Sequence, residues 1–327
     1  MAHLLYPLKF RPILKDVIWG GTRLRDLLGK PCQTETCGES WEISAVEGNI
    51  SVVENGFLQG NNLQELIEIY MGELVGDHIF EKFGLEFPLL IKFIDARDLL
   101  SIQVHPDDDL ARARHNAYGK TEMWYILEAE ENAKLISGFR QAISKEIYLD
   151  HLKRKTLPEI LNYEKVKAGD VFFMPAGRVH SIGTGILLAE IQETSDITYR
   201  IYDWDRTDAS GKGRELHTEL AVDAIVYNDP ERHRMDYVNE NNSRMTVVDS
   251  PWFTTGVINL DQAVEKDFNF IDSFVIYMCV GGRVTFEYAK DPGITVRMGE
   301  TVLIPASLKS LTIRPEGKST LLEIFIK

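Results

Sequence analysis

Two segments far apart in the chain share one pattern, and this repeat constrains the fold more than any other feature of the sequence. Residues 168–176 read AGDVFFMPA and residues 298–306 read MGETVLIPA. Each segment has a glycine and an acidic residue typical of a turn, then a short strand pattern, then proline and alanine. The apolar segments that begin near Tyr125 and Tyr277 also correspond. A repeat of this kind predicts two related β units.

The turn and strand pattern also predicts how each unit folds. Short strands separated by turn residues at regular spacing are typical of sandwiches and barrels. A repeated glycine–acidic–strand–proline pattern fits a double-sheet jelly roll of the cupin kind. We therefore predict a mainly β fold of two cupin-type jelly-roll barrels. Apolar residues at helical spacing over 62–82 and 142–162 add a few helices to the first barrel.

A polar segment divides the two units. Residues 231–245 contain few apolar side chains, and the chain beyond them is nearly all strand pattern. Such a segment is typical of a linker. We predict a first domain over residues 1–235, which carries the functional residues, and a second over residues 236–327. Residues 38–44, GESWEIS, alternate in the manner of an exposed edge strand of the first domain.

Three segments of the first domain supply candidate metal ligands. Residues 100–105 alternate apolar and polar side chains, so Gln103 and His105 lie on one face of a strand. Glu122 precedes the apolar strand MWYIL, and His180 begins a strand shortly after residues 168–176. These nitrogen and oxygen ligands on adjacent strands suit zinc or another divalent metal. For the first segment alone, a polar strand face with one hydrogen-bonded histidine is the alternative.

Net charge limits the classes of partner. The chain has 50 acidic and 36 basic residues, and its net charge is −14. Nucleic acids and anionic membranes attract basic surfaces, so neither is an expected partner. An anionic substrate then requires basic residues concentrated at the site. Lys92 is one candidate, because a lysine inside an apolar strand needs a carboxylate or phosphate partner unless it reaches the rim.

Cysteine spacing and the apolar segments indicate the compartment. Cys32, Cys37 and Cys279 are odd in number, and the first two lack CxxC spacing, which predicts free thiols in a reducing cytosol. The N-terminal residues lack a sustained apolar segment, and no run of about 18 apolar residues occurs. We expect a cytoplasmic location, and the oligomeric state stays open.

Several segments resemble the type I phosphomannose isomerases, in their short form without the large helical insertion. The segments are WGG at 19–21, QVHPDD at 103–108, GKTE at 119–122, PAGRVH at 175–180, YRIYDWDR at 199–206 and RELH at 214–217. The HPDD and YRIYD stretches are far more specific than a general cupin pattern. Beyond these segments the chain is similar to the family in architecture.

This resemblance implies a zinc-dependent isomerase that interconverts mannose 6-phosphate and fructose 6-phosphate through an enediol, with one zinc per chain. The implied metal ligands are Gln103, His105, Glu122 and His180. The glutamine position varies within the family. The implied catalytic residues are Arg200, Glu190 and Lys120. The resemblance leaves the role of the C-terminal domain undetermined.

The chemistry of an aldose–ketose isomerase fits these residue types. A proton moves between C1 and C2 of the sugar, so the site needs a base and a group that stabilises charge on the oxygens. Glu190 is the first candidate for the base and Lys120 the second. Arg200 supplies a planar charged fork for the phosphate or a developing oxyanion. The expected substrate contacts are Trp19, Ser101 and Lys92. Trp19 fits a buried anchor of the fold equally well.

Two other classes of function stay open at the level of sequence. A metal-binding cupin can be an iron-dependent oxygenase, and a metal assay for iron against zinc separates that class. The chain can also be a non-catalytic protein that binds a sugar phosphate, and measured turnover separates that one.

The second β unit lacks the candidate ligands. Ser310 stands at the position of His180, and an apolar residue near Phe274 stands at the position of Glu122. A hydroxyl and an apolar side chain do not hold a divalent ion, so we expect no metal in this unit.

Overall fold

Four antiparallel sheets form the framework of the chain, which the computed structural model describes over residues 5–207, 211–229, 231, 233–289 and 293–327. In spatial order, sheet I contains β1 (Ile13–Gly21), β2 (Cys37–Ile43), β3 (Leu89–Ala96), β10 (Ile186–Glu193), β5 (Glu122–Ala129), β8 (Val171–Met174) and β12 (Arg234–Met235). Sheet II contains β11 (Tyr199–Tyr202), β4 (Ile102–Val104), β9 (His180–Ser181), β6 (Lys134–Phe139) and β7 (Leu161–Lys165).

The C-terminal part of the chain forms the other two sheets. Sheet III contains β13 (Arg244–Asp249), β14 (Thr254–Leu260), β21 (Ser319–Phe325), β16 (Val275–Gly281) and β19 (Thr301–Ile304). Sheet IV contains β15 (Val264–Asp267), β20 (Ser310–Pro315), β17 (Arg283–Glu287) and β18 (Ile294–Arg297). The fold is therefore mainly β, as the sequence predicts.

Alternating side chains place three apolar cores between these sheets. Sheets I and II enclose a core that includes Trp124 and Phe172. Sheets III and IV enclose another, which includes Tyr277 and Phe286. The outer faces of sheets I and III share the third core, where Phe93 and Ile276 belong to one cluster. The N-terminal and C-terminal halves are therefore joined by a continuous apolar layer.

The helices of the described residues all precede residue 225 and so belong to the first half. They are α1 (Arg23–Asp26), α2 (Leu63–Tyr70), α3 (Gly72–Val75), α4 (Asp77–Phe83), α5 (Asp108–His115), α6 (Lys145–Lys153), a 3-10 helix (Leu157–Ile160) and α7 (Thr218–Ala224). None of the helices in the described ranges has the length and apolar character needed to cross a membrane.

Both long helical predictions are wrong in extent. Residues 62–82 form three short helices, because the backbone takes positive φ angles at Met71 (44°) and Gly76 (100°). Asn62 caps the first of them in a reciprocal capping box with Glu65. Within residues 142–162, the helical pattern ends after α6, and the chain enters β7 through the 3-10 helix. Local turn geometry therefore interrupts the helical periodicity.

Two further expectations about the N-terminal half are corrected. Residues 38–44 do not form an edge strand, because β2 lies between β1 and β3. Cys32 and Cys37 are joined by a disulfide, with their Cα atoms 6.0 Å apart, whereas Cys279 is free and buried. The chain bends at residues 34–35 between the two cysteines, and this bend brings them into bonding distance without CxxC spacing.

The sequence repeat corresponds to equivalent strand pairings in the two halves. Glu122 lies opposite Met174 in sheet I, and Val275 lies opposite Ile304 in sheet III. Val275 is thus the apolar residue at the position of Glu122. Ser310 begins β20 as His180 begins β9, but Ser310 is exposed whereas His180 is buried.

Candidate active site and metal centre

Strand ends from two facing sheets bring the predicted ligands together. In sheet II, Gln103 of β4 lies opposite His180 of β9, and His105 follows β4 directly. Glu122 begins β5 in sheet I, on the other side of the interior. Ligand atoms of His105, Glu122 and His180 all lie within 4.8 Å of one another. The three side chains are 0–1% exposed, so water does not compensate their polar groups.

The two imidazoles are oriented by main-chain carbonyls. Nδ1 of His105 lies 2.9 Å from the carbonyl oxygen of Ile197, and Nδ1 of His180 lies 2.8 Å from that of Arg178. A carbonyl oxygen only accepts, so each Nδ1 carries the proton and each Nε2 presents a lone pair to the site. Burial lowers the pKa of His105 to about 3 and lowers that of His180 as well. Both histidines are therefore neutral, and each can donate the lone pair of its Nε2 to a metal ion.

Glu122 provides an ionised oxygen to the same point. Burial alone would raise the pKa of Glu122, but the charge of Lys120 and the two neighbouring imidazoles hold it well below its usual range. Oε1 is buried and has no hydrogen-bond partner among the described residues. An orphaned buried carboxylate oxygen beside two imidazole lone pairs fits a divalent cation.

Lys120 and Gln103 border the three ligands. Nζ of Lys120 lies 3.0 Å from Nε2 of His105 and 2.5 Å from Oε2 of Glu122. The amide nitrogen of Gln103 lies 3.2 Å from Nε2 of His180. Amides bind metals through oxygen, so Gln103 becomes a ligand only if its amide turns over.

A pocket of about 370 Å³ opens beside this group. Its lining includes all the predicted catalytic and substrate residues, which are Trp19, Lys92, Ser101, Lys120, Glu190 and Arg200. Gln103 also lines it, so the pocket reaches the metal ligands through Gln103 and Lys120. Trp19 is both a pocket wall and a member of the core between sheets I and II, so neither of its two interpretations excludes the other.

Glu190 is held by two donors at the pocket wall. Its Oε1 accepts from Lys92 Nζ at 3.0 Å, and its Oε2 accepts from the indole N–H of Trp124 at 2.9 Å. Burial alone would lower the pKa of Lys92, but Glu190 and Glu39 raise it above its usual value. Lys92 therefore meets a carboxylate, one of the partners that its sequence context predicts.

Arg200 lines the same pocket and lies opposite Gln103 in the pairing of β11 with β4. Its Nη1 donates to the carbonyl of Glu215 at 2.9 Å, and its buried Nε has no partner among the described residues. Burial and the adjacent charge of Arg214 lower the pKa of Arg200. Arg214 is held by Asp203, with Nε 2.8 Å from Oδ2. Two guanidinium groups in one pocket lining attract an anion despite the net negative charge of the chain.

Sequence reasoning missed several residues that line the pocket. They are Val17, Glu39, Trp41, Ile94, Leu100, Ile182, Asp196, Thr198 and Arg214. A signal was present for Glu39 and Trp41, because residues two apart on a strand share a face. The prediction that residues 38–44 form an exposed edge strand led away from this shared face as part of a pocket. Arg214 begins the RELH segment of the family resemblance, which follows the segment of Arg200 closely, but the resemblance implied no role for it.

Comparison with known proteins identifies the family. Residues 8–141 match the family model of the phosphomannose isomerase type I catalytic domain. Mannose-6-phosphate isomerase of Streptococcus mutans is 37% identical over 308 residues, which cover 93% of this chain and 94% of that protein. Mannose-6-phosphate isomerase ManA of Bacillus subtilis is 42% identical over 260 residues, which cover 78% and 79%.

A solved structure agrees with these matches over the whole chain. The crystal structure of mannose 6-phosphate isomerase from Bacillus subtilis superposes with a TM-score of 0.87 at 34% identity, and covers 98% of this chain and 99% of that one. Similarity of sequence and of structure therefore extends across both halves. The chain belongs to the type I phosphomannose isomerase family.

Proposed function

We propose that the protein is a mannose-6-phosphate isomerase, which interconverts mannose 6-phosphate and fructose 6-phosphate through an enediol. The observation that carries this proposal is the pocket itself. Its lining combines Gln103 and Lys120, which border the buried His105, Glu122 and His180 group, with the guanidinium groups of Arg200 and Arg214. An open-chain sugar phosphate needs groups that act on its carbonyl and cations that bind its phosphate, so this combination matches the substrate.

We propose that His105, Glu122 and His180 hold one zinc ion, with Gln103 as the fourth ligand after its amide turns. Neutral imidazoles and an ionised carboxylate are ligands that zinc prefers. When bound, the metal supplies a Lewis acid that stabilises negative charge on the sugar oxygens. The carbonyl contacts at both Nδ1 atoms pre-orient the imidazoles for this role.

The remaining pocket residues divide into phosphate and proton-transfer roles. Arg200 binds the phosphate, and Arg214 beside it adds charge. Trp19 and Ser101 contact the sugar, and Lys92 orients Glu190. Glu190 is the first candidate to take the proton from C2 of the aldose and return it to C1. Lys120 is the second, because its side-chain nitrogen lies beside Glu122 and His105 in the pocket lining and could act as the base in its neutral amine form.

A coupled assay on mannose 6-phosphate tests the function directly. We expect turnover that is lost with a chelator and restored by zinc, and one zinc per chain in metal analysis. A reaction in D2O is expected to place deuterium on C1 of fructose 6-phosphate, because the base exchanges its proton with solvent. Binding of the sugar phosphate without turnover would contradict the proposal and favour a non-catalytic binding protein.

The proposed domain division and location have separate support. We propose a catalytic domain over residues 1–235 and a metal-free C-terminal domain over 236–327. In its support, the described residues hold one group of three metal-ligand side chains, which lies in the first domain.

We propose the cytoplasm as location because a charged sugar phosphate does not cross a bilayer unaided. The Cys32–Cys37 disulfide removes the thiol argument for that location. Cell fractionation with activity measurement tests it.

A further inference from the structure

We infer that Asp108 and Glu193 are positioning residues for Lys120, and that Trp252 connects the C-terminal half to the active site by fixing Asp108. Each of the two carboxyl groups holds a peptide N–H on one side of Lys120. The activity readout of this inference rests on the proposed function, whereas its binding and exchange readouts do not.

Glu193 holds the peptide on the C-terminal side of Lys120. Its Oε2 accepts from the N–H of Thr121 at 2.6 Å, and its own N–H donates to the carbonyl of Thr121 at 3.1 Å. Glu193 is the last residue of β10 and is only 5% exposed. Thr121 is therefore clamped by both a main-chain and a side-chain contact from one residue.

Asp108 holds the peptide on the other side. Its Oδ1 accepts from the N–H of Gly119 at 2.9 Å, and its Oδ2 accepts from the indole N–H of Trp252 at 3.1 Å. A Cβ at Gly119 would come within 2.7 Å of the main-chain nitrogen of Asp108, so only glycine allows this approach. Trp252 lies on the turn between β13 and β14, in the C-terminal half.

The two carboxyl groups also act on each other. Burial, reinforced by the negative charge of Asp108, raises the pKa of Glu193 to about 8. Glu193 is therefore largely protonated at neutral pH and can donate its hydroxyl to Asp108 while accepting from Thr121. Glutamine has the same shape and the same donor and acceptor, so Glu193→Gln preserves both contacts whereas Glu193→Ala removes them.

The segment that these contacts hold carries two site side chains. Lys120 and Glu122 lie on either side of Thr121, and their side chains meet at 2.5 Å. A displaced peptide would move both groups relative to the histidines, which stand on sheet II. Misplacement of a reacting group by about 1 Å costs roughly 100-fold in rate. The C-terminal half thus contributes to catalysis by fixing the position of this segment through Trp252 and Asp108.

The experiment compares Glu193→Ala, Glu193→Gln and Trp252→Phe with wild type, and with Asp170→Ala as the matched control. Asp170 is a buried carboxylate that accepts from the N–H of Lys167 at 2.9 Å and does not line the pocket. The measurements are kcat and KM for mannose 6-phosphate, zinc affinity against a chelating indicator, and amide hydrogen exchange of residues 117–124.

For Glu193→Ala we expect about 10-fold lower kcat with nearly unchanged KM, about 10-fold weaker zinc binding, and faster exchange at Thr121. Trp252→Phe is expected to lower kcat about fivefold, the equivalent of one hydrogen bond, with faster exchange at Gly119. Glu193→Gln is expected to restore wild-type values. Asp170→Ala is expected to lower only the thermal stability.

Three results would overturn the inference. One is a Glu193→Ala variant that loses only thermal stability, like the control. Another is a Glu193→Gln variant as impaired as the alanine variant, and the third is unchanged exchange and kcat in Trp252→Phe. If wild type shows no turnover of mannose 6-phosphate, the proposed function fails, and zinc affinity and amide exchange still decide the inference.

Discussion

The ammonium nitrogen of Lys120 lies 2.5 Å from Oε2 of Glu122, and the second oxygen of the same carboxylate is buried without a hydrogen-bond partner among the described residues. The oxygen that contacts Lys120 also lies 3.5 Å from Nε2 of His105, and the second oxygen lies 3.3 Å from Nε2 of His180. The second oxygen would be available to a metal ion held with the two histidines. Lys120 also lines the pocket, so the pair connects the candidate metal ligands with the pocket.

The first prediction is that zinc titration of metal-free protein shows a single tight site. His105→Ala and His180→Ala are each expected to weaken it by more than about 100-fold, the upper end of what an outer-shell change costs. His151 lies outside the pocket, so His151→Ala is the control and is expected to bind zinc normally. Calorimetry measures both. A second tight site that survives the double His105 and His180 variant, or metal bound among residues 270–315, would contradict this.

The second prediction concerns Arg200. Arg200→Ala is expected to lower kcat/KM about 100-fold with zinc content unchanged, because a charged hydrogen-bond pair contributes about 3 kcal/mol and each 1.4 kcal/mol is tenfold. Arg200→Lys should restore part of this, since the charge stays but the fork is lost. Arg154, exposed and paired with Asp150, supplies the control Arg154→Ala. Near wild-type turnover in Arg200→Ala would remove Arg200 from the substrate site.

The third prediction is a pH dependence of stability from Glu193. Its pKa is about 8 in the folded protein against an ordinary 4.5, so the folded state binds the proton more tightly. The stabilisation is complete below pH 4.5 and is lost as the pH rises towards 8, by up to about 1.4 kcal/mol per unit. Glu193→Gln lacks this ionisation. Urea unfolding across this window is therefore expected to show wild type losing stability relative to Glu193→Gln as the pH rises, and parallel curves would refute it.

The fourth prediction concerns a buried charge cluster of the C-terminal half. Glu323 is 2% exposed, receives the hydroxyl of Tyr277 at 2.5 Å, and pairs with Arg244 at 2.8 Å and Lys266 at 2.5 Å. Glu323→Gln leaves two cations without their charge partner and is expected to cost about 3 kcal/mol of unfolding free energy.

The control for that change is the half-exposed pair of Glu287 and Arg314. Glu287→Gln is expected to change the unfolding free energy far less than Glu323→Gln does, because solvent screens such pairs. Urea unfolding measures both variants. Zinc content and kcat per folded molecule should stay at wild-type values in both, since neither residue lines the pocket. A loss of zinc from Glu323→Gln would contradict this prediction, because it would show that metal binding depends on this cluster of the C-terminal half.

The fifth prediction counts thiols. Protein purified without reductant and then denatured is expected to show one reactive thiol, that of Cys279, and three after reduction. In the folded protein the count should be close to zero, because burial raises the pKa of Cys279 to about 12 and leaves little thiolate. Titration with a thiol reagent measures each state. Three thiols in the unreduced, denatured protein would restore the expectation of free cysteines.

Short-range pattern was sufficient for the class of fold and for the candidate ligands. Alternation over residues 100–105 places Gln103 and His105 on one face, and a turn before a strand places His180 at its start. Both are consequences of a period of two residues, which is local. The resemblance to the family supplied Arg200, Glu190 and Lys120, and all three line the pocket.

Tertiary packing alone decided the rest, because it depends on contacts between residues far apart in the chain. Local alternation does not distinguish an edge strand from the interior position of β2, which brings Glu39 to the pocket beside Lys92. Spacing did not reveal that Cys32 and Cys37 approach each other. The contact of Trp252 with Asp108 exists only because the outer faces of sheets I and III share one apolar core. The sequence by itself therefore determined the strands and the chemistry at their ends, and long-range packing decided which of those ends meet.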